Sequence, residues 1–282
     1  MTSLTGIAQR LMGGTSFMAG LMVLSSATAA AQNVAADLRW QAWLGCWEAV
    51  EPESTLAIGA TKKPLICVIP TDEAGAVEIA TVVADSIALR QRIEATGAQR
   101  QMSKDGCTGW ERAQWSANGA RVYLRSSYSC PGGLTRSSNG IMAVSSAGEW
   151  LDVQGVVAGT TVGVRVVRYR DVTDAVSLPS EVAVALKGRA PTMNDARIVA
   201  ASALTTDDVV EASRFIDPGV VQTWLAETGQ GFAVDAKQLI ELEKSGVSPR
   251  VIDVMVALSY PNVFALDRSR VAGATRENVD EP

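Results

Sequence analysis

Residues 107–130, CTGWERAQWSANGARVYLRSSYSC, decide how the first half of the chain is read. Asn118-Gly119 is the strongest short hairpin signal in the sequence, because both residues tolerate the left-handed backbone that a tight turn requires. The flanking runs, 110–115 and 121–128, carry two tryptophans and two tyrosines, residues that suit strands. A two-residue turn at this point sets Cys107 directly opposite Cys130, on one face with Trp115, Val122, Leu124 and Tyr128. Arg112, Arg121 and Arg125 then share the other face with Tyr123. One apolar and one charged face is the pattern of a half-buried sheet.

The chain has four cysteines, so assigning Cys107 to Cys130 leaves Cys46 to pair with Cys67. Each bridge closes a loop of a size that predicts about 3 kcal/mol of stabilisation in the chain-entropy model. The alternative is a metal held by four thiolates, but no C-x-x-C spacing supports it. Working outward from the hairpin, strands are expected at 40–50, 65–69, 76–84, 86–96, 108–115, 120–129, 134–144, 150–157 and 161–170. Turn residues such as Pro131-Gly132-Gly133 and Ala147-Gly148 separate them. Eight or nine consecutive strands with short turns suggest an antiparallel sandwich or barrel. Closure into a barrel is favoured, since it removes the exposed edges of a long meander.

Trp43-Leu44-Gly45-Cys46-Trp47, in the first predicted strand, resembles the Gly-x-Trp opening of lipocalin-like barrels. The resemblance spans some 130 residues and is architectural. It implies a barrel of eight or nine strands with a Trp plugging the closed end beneath an Arg from the last strand. Trp47 and Arg168 (or Arg165) are the matching residues here. A barrel of that size leaves room for about one small apolar ligand, although the barrel tryptophans also have a simpler reading as core.

After about residue 171 the periodicity becomes helical. Helices are expected from 181 to 189, where Pro191 interrupts, and from 193 to 203. An internal repeat follows: 204–225 and 234–256 each read as helix, turn, helix. Val209-Val210-Glu211 aligns with Leu239-Ile240-Glu241, and Asp217-Pro218 with Ser248-Pro249. Thr205 or Thr206 and Asp235 are candidate caps, and Asp217-Pro218 and Ser248-Pro249 each supply a cap followed by a first-turn proline. Trp224 aligns with Met255, so burial is its default, and it is also a candidate partner contact. The tandem resembles short helical repeats beside exported bacterial domains, which implies association and no chemistry of its own.

The predicted organisation is therefore a signal peptide at 1–31, a lipocalin-like barrel at 32–171 and connecting helices at 172–203. The helix-hairpin repeat at 204–266 and a disordered tail at 267–282 complete it. Arg10 is the only charge in the first segment, an apolar run follows it, and Ala29-Ala30-Ala31 offers a cleavage site. A periplasmic or secreted protein is expected, with no membrane span after cleavage; a retained anchor is the alternative.

Composition excludes more than it assigns. The 282 residues include no histidine, which removes Ser-His-Asp and Cys-His nucleophile systems. The formal net charge of −5 argues against a nucleic-acid binder. Residues 32–170 carry 14 basic and 13 acidic side chains, and 171–282 carry 10 and 17. The arginine face of Arg112, Arg121 and Arg125 therefore has an acidic helical half in the same chain to meet. An anionic polymer or a lipid headgroup are the other candidates, and a solvated sheet face is the simplest reading. No phosphate-binding, dinucleotide or metalloprotease motif occurs. Paired carboxylates could serve a hydrolase, with Glu48, Glu51, Glu53, Glu149 and Asp152 as candidates. Neither a cofactor nor a metal is expected. The leading expectation is an exported, non-enzymatic binder of a small apolar ligand with a helical association domain. A structural or accessory subunit of a cell-envelope complex is the alternative, and a carboxylate hydrolase the minor one.

Overall fold

The computed structural model describes residues 37–50, 63–73 and 75–266. The signal segment, Glu51, Glu53 and the tail from 267 lie outside the described residues. Ten strands run in chain order: β1 Gly45–Ala49, β2 Leu65–Pro70, β3 Ala76–Val83, β4 Ser86–Glu94, β5 Thr96–Lys104, β6 Cys107–Trp115, β7 Val122–Ser129, β8 Thr135–Val144, β9 Trp150–Ala158 and β10 Thr161–Asp171. Six helices follow: α1 Ser180–Leu186, α2 Ala190–Ala200, α3 Thr206–Phe215, α4 Pro218–Thr228, α5 Ala236–Lys244 and α6 Pro249–Ser259.

The strands form one antiparallel sheet in the order β4-β3-β2-β1-β10-β9-β8-β7-β6-β5. Every pairing except β1 with β10 is between neighbours in sequence, and that exception curls the meander into a nearly closed barrel. Its two edges, β4 and β5, are consecutive: the chain bends between them at Ala95 and the β5–β6 ladder is irregular at Thr96/Gln99. Strand β5 was not expected from sequence. TGAQRQMSK is polar with no alternation, and as an edge strand it is mostly exposed, so no periodicity marks it.

The first strand is shorter than expected. Residues 40–44 are not extended, because Leu38–Ala42 forms a 3₁₀ turn whose N-terminus is capped by the Asp37 carboxylate. Gly45 then turns the chain into β1 at φ +121°, where a Cβ would come within 2.6 Å of Thr173 Oγ1. This turn drops Trp40 and Trp43 against Trp115, with ring centroids 4.6 and 5.5 Å from it. Trp47 and Trp150 meet edge-on deeper in, at 5.9 Å. One end of the barrel is thus filled with indoles, together with Val77, Ile93, Val122 and Met142.

The β6–β7 register is the one the cysteines implied, with Thr108 opposite Ser129 and Trp115 opposite Val122. The connection is longer than two residues. Ser116 N–H bonds Arg121 O, and Gly119 N–H bonds Ser116 O at left-handed φ, making a four-residue loop. The Asn118 side chain fixes it by accepting from Ser116 Oγ and Ala120 N–H. Both disulfides, Cys46–Cys67 and Cys107–Cys130, are formed.

The helices pack on the outside of the barrel. Val182 and Leu186 of α1 and Met193 of α2 join Cys46, Cys67 and Ala80 in one apolar cluster. Helices α3–α6 share a second cluster with Tyr123, Ile141, Ala143, Leu151 and Val153, which alternate with the inward residues of β7–β9. These strands are therefore buried on both faces. The two hairpins α3–α4 and α5–α6 start alike, with capping boxes at Thr205 and Asp235 and with Pro218 and Pro249 in first turns. Asp217 and Ser248 precede these prolines as expected, but neither side chain makes a cap; Asp217 accepts instead from Asn139 of β8. Pro191 opens α2 in the same first-turn position.

Candidate functional site

Two features gather chemistry-bearing side chains: the seam between the sheet and the helices, and the open end of the barrel. In the seam, Arg121 is only 2% exposed. Its Nη2 donates to Asp208, a member of the α3 capping box, whose carboxylate also accepts from Asn118 and from the Thr205 N–H and hydroxyl. The Arg121 guanidinium lies 5.7 Å from the Trp224 ring centroid. Tyr123 stacks on Phe215 at 5.1 Å, and burial pushes its phenol well above the ordinary range. Ala117 N–H bonds Glu211 at 2.7 Å. The acidic helical half thus meets the hairpin through the turn-proximal Arg121.

Arg112 and Arg125 do not take part in this contact. They lie directly opposite each other, Arg112 donates to Gln114 at 2.6 Å, and Arg125 is exposed. Trp224 is fully buried in α4, so it presents no accessible surface to a partner.

The expected Trp47–Arg168 stack is not formed. Trp47 pairs with Asp171, which puts it on the opposite sheet face from Arg168, three positions away. Arg168 instead points to the helices, bonding Glu227 of α4 at 2.6 Å and Glu149 at 3.1 Å. The cation over Trp47 is Arg197 of α2, at 4.6 Å, which also bonds Ala42 O, Leu44 O and Asp171. Sequence reasoning missed Arg197 and Asp208. Asp208 carries a local signal as the third residue after the Thr205 cap, but its contact with Arg121, like that of Arg197 with Trp47, spans more than 80 residues and leaves no mark in the chain.

The open end of the barrel forms a recess of about 130 Å³. Ile93, Ala113 and Leu124 line its apolar part; Gln91, Ser126, Ser138 and Gln154 line its neutral polar part, and charged side chains, Arg100 and Glu111 together with Arg92, Glu94 and the predicted Arg112 and Arg125, line the rest. Tyr128 donates to Glu111, and the Ser126 and Ser138 hydroxyls are 2.8 Å apart. Nearby Asp152 is buried, and desolvation raises its carboxyl above the ordinary value despite hydrogen bonds from Gln154 and the charge of Arg165.

The candidate carboxylates carry partners of their own. Glu48 pairs with Arg170 at 2.5 Å, Glu149 with Arg168, and Asp152 with Gln154 and Arg165. Among the described residues no group of three Cys, Asp or Glu side chains gathers into a metal-binding cluster.

Fold and seam together define a barrel-like antiparallel sheet clasped by a helical layer. No protein-family model and no curated protein matches the chain. Among solved structures it is similar to secretory abundant heat soluble protein 4 from Ramazzottius varieornatus. That match has 13% identity and a TM-score of 0.30, and covers 46% of this chain and 95% of the other.

Proposed function

We propose that the chain is an exported, non-enzymatic binding protein of the lipocalin-like kind, holding one small ligand at the open end of its barrel. The observation that carries this is the recess above the indole floor, apolar on one side and hydrogen-bonding on the other. Its volume is below the ~300 Å³ at which drug-sized sites begin, so the ligand is small: an apolar body against Leu124 and Ala113, with a polar end toward Arg100 and Gln154. Of the candidate carboxylates, those among the described residues, Glu48, Glu149 and Asp152, are each engaged by a partner of their own, which supports a binder over a hydrolase. Two disulfides suit an oxidising compartment, and among the described residues no helix is long and apolar enough to cross a membrane.

Native mass spectrometry of protein purified gently from its own cells tests the reading. A bound small molecule that leaves on unfolding, and is missing from a Ser138→Trp variant with unchanged circular dichroism, is the expected result. Protein that is empty in both forms would reject it.

One observation favours a structural or accessory role instead. Val184 of α1 and Ile198 and Val199 of α2 are 74, 74 and 70% exposed, an apolar set on the helices next to the closed end. In that case the same spectrum shows an empty barrel arriving with a protein partner or as a defined oligomer.

A further inference from the structure

The helical hairpins α3–α4 and α5–α6 repeat in sequence but not in burial. Asp217-Pro218 aligns with Ser248-Pro249, thirty-one residues on. The same offset pairs Val220 and Trp224 of α4 with Val251 and Met255 of α6, and all four are buried. It also pairs Val221 with Ile252, Leu225 with Val256 and Phe232 with Val263. The first member of each pair is buried, whereas Ile252 and Val256 are partly exposed and Val263 is 72% exposed.

Helix geometry accounts for the difference. Val220 faces the sheet, where it sits against Gly155 of β9, and Trp224 and Glu227 on the same side of α4 meet Arg121 and Arg168. Val221 and Leu225 lie about 100° round the helix from that side, and α4 also packs on α6. Phe232 is held at the end of α6, its N–H bonding Ser259 Oγ at 3.0 Å. The second hairpin thus covers apolar positions that the first turns away from the sheet. Its own equivalents stay open. A stack of repeats that ends in water carries a polar outer face. Here Ile252, Val256, Tyr260, Val263 and Phe264 follow one another at helical spacing as an apolar stripe, with Tyr260 48% and Phe264 47% exposed. Bonds from Tyr260 N–H to Val256 O, and from the Val263 and Phe264 N–H groups to Tyr260 O, hold its far end together.

We propose that this stripe is a self-association surface, on which a second copy of the chain seats its own stripe about a two-fold axis. The face continues the α4–α6 stack, so what fits it is another apolar helix edge, and two-fold pairing lets one such surface cover itself. Charge permits the contact. Residues 235–260 carry 3 basic and 4 acidic side chains, whereas 204–228 carry 1 and 5. Two copies meeting through the second hairpin therefore avoid the repulsion that the first would impose. Residues 267–282, polar in sequence, do not repeat the pattern. The surface is separate from the barrel mouth and does not depend on a ligand there.

Sedimentation velocity of the full chain measures it. The wild type should pass from monomer to dimer as its concentration rises to about 0.1 mM. Val263→Glu, at an exposed turn position, should weaken association at least tenfold with unchanged circular dichroism. Phe264→Glu should act in the same way, and Val263→Leu should keep the dimer. Ile198→Glu, in the exposed apolar set of α2, should dimerise as the wild type does. A wild type that stays monomeric through that range, a dimer indifferent to both Glu variants, or one dispersed equally by Ile198→Glu would each overturn the proposal.

Discussion

Asp152 and Arg121 show how one residue's surroundings set its chemistry. Asp152 is a carboxyl held inside the barrel, and desolvation is the main reason its proton is retained more tightly than in the unfolded chain. Where the folded value lies above the unfolded one, the native state binds more protons in the interval between them. Stability therefore falls as pH rises through that interval and stays lower above it. Asp152→Asn, which cannot ionise, should gain on the wild type as pH rises from about 4 to 7. Melting temperatures across that range decide it; a constant or shrinking gap would contradict the assignment. Arg121 has the opposite character: its charge is matched by Asp208 in place, so the pair is retained in the seam where a lone cation would not be.

Among the elements, the β6–β7 hairpin was the most legible, and for a physical reason. Its register is fixed by the alternation of side chains, and a one-residue slip would exchange Val122 and Leu124 for Arg121 and Arg125. The Cys107–Cys130 position followed from that register even though the loop proved longer than two residues. Helix starts were equally legible at Thr205, Asp235, Pro218 and Pro249, since caps and first-turn prolines act within three or four residues. Strand β5 and the 3₁₀ turn at Leu38–Ala42 were not: the first completes an edge without alternation, and the second, though capped locally by Asp37, is held in place by indole packing against a distant strand. The two disulfides also differ by element. Cys46 and Cys67 are fully buried where α1 and α2 join the sheet, whereas Cys130 is partly exposed at a strand end. Under mild reductant, differential alkylation should find Cys107 and Cys130 modified well before Cys46 and Cys67; simultaneous modification would argue that the helical cover gives no protection.

At the scale of the molecule, sheet and helices meet in two apolar clusters, with the ion pairs Arg121–Asp208, Arg168–Glu227 and Arg90–Glu181 joining the layers. Arg90 and Glu181 are exposed and contribute little, but Arg121 is enclosed. Arg121→Glu places two carboxylates together in the seam. Losing such a buried pair typically costs about 3–5 kcal/mol, so the midpoint in urea should drop and the radius of gyration by small-angle scattering should rise. Arg125→Glu, on the same strand face but in solvent, should change neither. Equal behaviour of the two variants would mean that the helices are held by apolar packing alone.

By itself the sequence determined what depends on neighbours along the chain: the antiparallel meander, the hairpin register with its cysteine pairing, the helical second half and its repeated caps. Only the tertiary structure decided that the helices wrap the barrel, that Arg197 and not Arg168 covers Trp47, and that of three arginines on one face Arg121 alone is enclosed. Those outcomes depend on which distant surfaces meet. Periodicity states that a face must be buried or solvated, but Arg112, Arg121 and Arg125 have the same pattern in the chain. Their fates differ because α3 and α4 happen to cover one end of the strand pair and leave the other in water.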